Sequence, residues 1–177
     1  MPVSSIVTET GAVSPAKRRL LGVVGSVVLL DQLSKHWALG ALGDGNIIHV
    51  VWTLRFSLGF NSGFAFGTGQ GYGVLVGIVA LAVVAWVLRM MSRTHHPVVA
   101  MGLALVSGGA LGNIVDRVFR GDAWMRGKVV DFIDLQWWPV FNVADAAICT
   151  GAVVLIVGSW LDWRSTGSGA PGSGTPG

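Results

Sequence analysis

Four apolar stretches, residues 20–42, 71–91, 98–118 and 141–161, dominate the chain. Each is close to the roughly 20 residues that a helix needs to cross about 30 Å of hydrocarbon. The composition agrees: 52% of residues are hydrophobic, only 12% are charged, and the mean hydropathy is +0.65, whereas soluble domains carry roughly 25% charged residues. The expected fold is an all-α membrane protein with four transmembrane helices. In 177 residues four spans leave no room for a second domain, and no internal repeat suggests the inverted halves of a secondary transporter. One bundle over residues 20–164 is therefore expected, with residues 1–19 disordered and cytoplasmic. The Gly/Ser/Pro-rich tail, residues 165–177, is also expected to be disordered.

An even number of spans puts both termini on one side. Lys17, Arg18 and Arg19 precede the first span, Arg89 and Arg93 flank the short second connection, and Arg164 follows the last. Arg55, Arg117, Arg120, Arg126 and Lys128 fall on the other side. The tight cluster before the first span and the short loop make the termini cytoplasmic by the positive-inside rule. Trp160 and Trp163 at one edge and Trp137 and Trp138 at the other fit interfacial aromatic belts. The basic start followed by LLGVVGSVVLL resembles a signal peptide, but the apolar run continues past Asp31 and Lys35 without a cleavage pattern. It reads as a retained signal-anchor helix. A net charge of +3 makes no case for nucleic acid as a partner.

The first outer loop has structure of its own. In WTLRFSL, residues 52–58, apolar and polar side chains alternate, which argues a half-buried strand and hence a small extracytoplasmic sheet. It runs into GFNSGFAFG, residues 59–67, where glycines permit tight turns and Phe64 and Phe66 are placed to dip into the membrane surface. This segment reads as a lid or cradle.

Against so apolar a background, Asp31, Asp131 and Asp145 mark a site, because an ionised side chain in hydrocarbon costs roughly 2.5–3.5 kcal/mol on insertion scales. Asp31 and Lys35 are one helical turn apart and neutralise each other, as a structural pair or as part of the site. Ser34 cannot use Lys35 as a base, since neighbours on a helix diverge by about 100°. The histidines lack metal-ligand spacing and Cys149, the single cysteine, reads as a small core residue. Asn113 and Arg117 share a helix face suited to a peptide carbonyl or a lipid phosphate, or serve as an interhelical bond and a snorkelling cation. Asn142 and Asp145 share a face of the last span. Carboxylates that converge in a low-dielectric site share a proton, so that one acts as base on water while the other donates to a carbonyl. An ion-coupled transporter or channel would also carry intramembrane carboxylates, but this pair lies near one membrane face and four unrepeated spans are few for alternating access. A membrane scaffold explains neither the aspartates nor the glycine-rich loop.

Together and in order, DQLSK, NSGFAFG, GNIVDR, VVDFID and FNVAD closely resemble the lipoprotein signal peptidase (signal peptidase II) family over about residues 20–161. The resemblance implies a bacterial cell-membrane aspartyl endopeptidase that needs no cofactor or metal. Its partners would be membrane lipid and prolipoproteins, cut on the amino side of a diacylglyceryl-modified cysteine near the outer membrane face. Carried over through the motifs, Asp131 and Asp145 are the catalytic pair, and Asp31, Lys35, Asn61, Gly63, Asn113, Arg117 and Asn142 support or line the site. Asp116 becomes a positioning residue. A monomer is expected. Residues 120–128 make the link between GNIVDR and VVDFID longer than the commoner family pattern.

Overall fold

The computed structural model describes residues 14–62, 73–94 and 96–167. Helix α1 spans Pro15–Leu42, α2 Gly73–Arg93, α3 Pro97–Phe119 and α4 Val143–Gly167; strands β1 (Ile48–Val51), β2 (Leu54–Asn61) and β3 (Val129–Asp134) lie between them. Helix α1 begins upstream of its apolar run, within the stretch expected to be disordered. There Ser14 accepts the Lys17 N–H and Pro15 takes the first helical position, where the missing proline donor costs nothing. Likewise α4 continues past residue 164 to Gly167. His96 at the N-cap and Pro97 behind it start α3.

Helix α3 packs against α1, α2 and α4. Its contact with α4 is made at backbone distance. A Cβ at Gly102 would meet Leu155 and the Gly151 carbonyl oxygen, and one at Gly109 would meet the Ala144 carbonyl oxygen. Small residues are what permit such approach between apolar helices. By length and composition α3 (Pro97–Phe119) and α4 (Val143–Arg164) are apolar enough to cross a membrane. Large apolar side chains such as Leu29, Leu30, Ile78, Val79, Val153 and Ile156 point outward, the reverse of a soluble bundle. Cys149 is on that outward surface of α4; the core position expected for it is wrong, because a uniformly apolar helix does not announce which face is buried.

The sheet is antiparallel in the order β1-β2-β3. The alternation at residues 52–58 does mark a strand, but Trp52 and Thr53 form the hairpin turn instead, with Trp52 at φ 52°, and β2 extends onward to Asn61. Strand β3 was not foreseen as one. It pairs with β2 on one side and is bridged to Phe141 on the other, and five of its six residues are buried, so it lacks a solvent-facing alternation. Phe132 packs with Ala38 and Leu42, and Trp37 meets Phe56 edge-on at 5.3 Å. These contacts fix the sheet to the end of α1. Of the expected lid, Gly59–Asn61 belong to β2, while Gly63, Phe64 and Phe66 lie outside the described residues.

The long link at residues 120–128 is a plug. Met125 is fully buried with Val84 of α2 and Ile114 of α3, and a Cβ at Gly77 would strike its thioether end. The Gly127 N–H donates to the Arg117 carbonyl oxygen. Met125→Ala should lower stability by about 2–5 kcal/mol, the usual cost of emptying a buried methionine site; thermal unfolding in detergent checks it, and an unchanged midpoint would mean the plug is not seated.

Candidate active site

Four polar residues of α1 and α3 form the base of the site. Lys35 Nζ lies 2.8 Å from Asp31 Oδ2, 2.9 Å from Asp116 Oδ2 and 3.0 Å from Asn113 Oδ1. An ammonium has three N–H groups, and here each has an acceptor. Asp31, Lys35 and Asp116 are completely buried. Arg120 Nε donates to Asp116 Oδ1 at 2.7 Å and its Nη2 to Gln32 Oε1, so two cations balance two carboxylates. Gln32 Nε2 sits 3.1 Å from Asp31, Asp116 and the Gly112 carbonyl oxygen. The glycine at 112 is a clearance: a Cβ there would lie 2.6 Å from Asp31 Oδ2.

From this base the network reaches the start of α4. Asp31 Oδ1 accepts the Ala144 N–H at 2.9 Å, so a side chain of α1 caps α4. Asn142 and Asp145 complete the cap reciprocally: the Asp145 N–H donates to Asn142 Oδ1 at 2.9 Å, and the Asn142 N–H donates to Asp145 Oδ2 at 3.2 Å. This is a capping box built from Asn and Asp. Asn113 Oδ1 accepts from both Lys35 and Asn142, which turns its Nδ2 toward Asp145 Oδ1 at 2.8 Å.

Asp131 arrives on β3. The Val130 N–H donates to Asp116 Oδ2 at 3.1 Å, which ties the strand to α3 one residue before the carboxylate. Asn142 Nδ2 then donates to Asp131 Oδ1 at 2.6 Å. One asparagine thus bonds both carboxylates, donating its backbone N–H to Asp145 and its side-chain amide to Asp131. Burial, with the nearby charge of Asp145 next, raises Asp131 to about 7, against the lowering effect of the Asn142 hydrogen bond. Arg117, also buried, is close enough to interact electrostatically with Asp116, Asp131 and Asp145. Asn61 pairs opposite Val129, on the strand face that Asp131 shares by alternation.

Of the residues singled out in the sequence, Asp31, Lys35, Asn113, Arg117, Asp131, Asn142 and Asp145 converge, and Gly63 lies outside the described residues. The Ser34 hydroxyl donates to the Asp31 carbonyl oxygen. Gln32 and Arg120 were missed. Their sole signal was position inside DQLSK and one turn after Asp116. Asp116 bonds Lys35, Arg120 and β3, which makes it a tether for the strand instead of a partner of Asp145.

The family model described as signal peptidase (SPase) II matches residues 23–161. The lipoprotein signal peptidase of Mycobacterium avium (strain 104) is 39% identical over 155 residues, 84% of this chain and 85% of that protein. The one of Mycobacterium leprae (strain Br4923) is 42% identical over 154 residues, 85% of this chain and 77% of that protein. A solved bacterial membrane enzyme, crystallised in meso at 2.3 Å, superposes with a TM-score of 0.74 at 23% identity, covering 90% of this chain and 95% of that one. It shares the fold.

Lys35→Met should cost about 3–5 kcal/mol, the usual penalty for leaving buried charges without their partner. Chemical unfolding in detergent measures it. A wild-type midpoint would mean that Asp31 and Asp116 do not need the ammonium.

Proposed function

The chain belongs to the signal peptidase II family and is an aspartic-type peptidase that removes signal peptides from prolipoproteins; from that premise we propose that Asp131 and Asp145 are its catalytic pair. The observation that carries this reading is the single asparagine, Asn142, bonded to both carboxylates at the N-terminus of α4. Near neutral pH Asp131 holds the proton, since its midpoint is about 7, and Asp145 takes the role of base. A water between them loses a proton to Asp145 and adds to the scissile carbonyl, while Asp131 donates its proton to the carbonyl oxygen. The gem-diol collapses as the amide nitrogen takes the proton held by Asp145 and leaves, while a gem-diol hydroxyl returns a proton to Asp131. No acyl-enzyme forms.

The other residues hold the parts still. Asn113 and Asn142 fix the two carboxylates, Lys35, Asp31 and Asp116 fix Asn113, the start of α4 and β3, and Arg117 faces the pair with compensating charge. Asn61, on the edge of the same sheet face, is placed to pair with an extended peptide. Cleavage falls on the amino side of a diacylglyceryl-modified cysteine, whose acyl chains lie in the bilayer against the outward apolar faces. Lipid binding then orients the bond at the pair.

In this reading α1 and α2 are the first two of four spans, the termini are cytoplasmic and the sheet lies outside, in a monomeric enzyme of the bacterial cell membrane. Supporting it, the charges in the middle of α1, Asp31 and Lys35, are turned fully into the bundle, and Trp137 and Trp160 are exposed near opposite ends of α4.

Asp131→Asn and Asp145→Asn should each abolish cleavage of a lipidated prolipoprotein without preventing membrane insertion; substantial turnover in either variant removes that residue from the pair. Because Asp131 must carry the proton, the wild-type rate should fall as pH rises through about 7, and a rate that stays flat well above that value contradicts the assignment. In a Cys149→Ala background, impermeant thiol reagents should reach cysteines at Ser62 and Asp122 from outside but not one at Ser92. The reverse pattern overturns the orientation.

A further inference from the structure

Beside the catalytic group, a cleft of about 720 Å³ opens between α1, β2, the end of α3 and the plug at residues 120–128. Leu39, Phe60 and Phe119 give it an apolar side; Arg120, Arg126 and Lys128 give it a cationic one. Val130, which also lines it, follows the opposite strand face from Asp131. The cleft is therefore distinct from the proton-sharing pair.

Part of the charge on the cationic side is left unmatched among the described residues. Arg120 is matched by Asp116, but Arg126 and Lys128 have no salt-bridge partner among the described residues, and Asp122 is the only acid in the lining. Their backbone is held, because Met125 before Arg126 is fully buried and Gly127 between them bonds the Arg117 carbonyl oxygen. The cations are thus presented by a fixed turn. Arg120 keeps further N–H groups beyond the two it gives to Asp116 and Gln32.

The place of the cleft selects its occupant. It lies at the end of the apolar helix α3, with Phe119 in its lining and Trp124 next in sequence to the lining residue Ala123, and these two rings are 77% and 61% exposed. Exposed aromatic rings at the end of a span mark the head-group level of a bilayer. A ligand that meets an apolar wall and two unpaired cations at that depth is an amphiphile with an anionic head. The diacylglyceryl thioether of the substrate carries no such charge, and an acidic peptide would leave the apolar wall unused.

We propose that this cleft binds one anionic phospholipid of the surrounding membrane. Its phosphodiester sits between Arg126 and Lys128, with Arg120 donating from below, and an acyl chain runs over Leu39, Phe60 and Phe119. The inference rests on the membrane reading of α3 but on no step of the peptidase mechanism.

Native mass spectrometry of the full-length protein in a neutral detergent tests it, with phosphatidylglycerol and phosphatidylcholine of identical chains as probes. Wild-type protein should retain the anionic lipid at least about tenfold more tightly, and Arg126→Ala/Lys128→Ala should lose about that factor for phosphatidylglycerol alone. Equal retention of the two lipids by the wild type overturns the proposal, and that comparison holds even if the double variant unfolds. So does a folded double variant, judged by its melting temperature, that still discriminates. Displacement of the lipid by equimolar inorganic phosphate would show a site for a free anion, and displacement by an equimolar acidic peptide a peptide site; either also overturns it. Cleavage is not the readout, so failure here leaves the catalytic assignment where it stands.

Discussion

The buried ammonium of Lys35 is the interaction on which the site depends. Removing an ion from water costs several kcal/mol, and the cost is offset only when geometry and hydrogen bonds are complete. Completeness at Lys35 needs Asp31 from its own helix and both Asp116 and Asn113 from α3, so α1 and α3 have one register in which all three N–H groups are used. The requirement then passes outward. Asp31, held by Lys35, spends its other oxygen on the start of α4. Asp116, held by Lys35 and Arg120, accepts from the backbone of β3. Asn113 has its amide oriented by Lys35 and turns its donor to Asp145. Helix α4 and strand β3 are thereby located relative to one cation, and they carry the two carboxylates.

That arrangement explains why the pair stands at a junction of strand and helix. Asp145 is in the first turn of α4, where its carboxylate accepts from the Asn142 N–H and the Asn113 amide. Asp131 comes from an extended strand with little solvent contact, where charge is disfavoured. Two chemically identical side chains are thus given different environments, and the proposed division into acid and base draws on that difference. Asn142 stands between them as the cap of one and the hydrogen-bond donor of the other. Glycine serves the same end by absence: side chains at Gly112 and Gly109 would push α3 off Asp31 and off the first turn of α4.

The helices were legible in the sequence because length and hydropathy are local properties. The Asp31–Lys35 pair was legible because it is one turn apart. What could not be read was the second partner of each group. Gln32 meets Gly112, Asp116 and Arg120 across separations of 80, 84 and 88 residues, and no spacing rule reaches that far. Asn142 and Asp145 were seen as neighbours on a face; that they form a capping box, and that Asn142 also bonds Asp131, depended on where β3 lies. Strand β3 itself hid because both of its edges and nearly all of its side chains are covered. The long link at residues 120–128 was visible as a departure from the family pattern, but only packing revealed Met125 as its anchor. Cys149 failed for the opposite reason, since an apolar helix in lipid has no polar face to betray its outward side.

In the proposed mechanism the pair carries one proton near neutrality, residing on Asp131. Infrared titration of the carboxyl stretching band in purified protein observes that proton directly. A protonated-carboxyl band should be lost with a midpoint of about 7 and be missing from Asp131→Asn. A midpoint at the ordinary value of 3.8, or a band that survives Asp131→Asn and vanishes in Asp145→Asn, would contradict it.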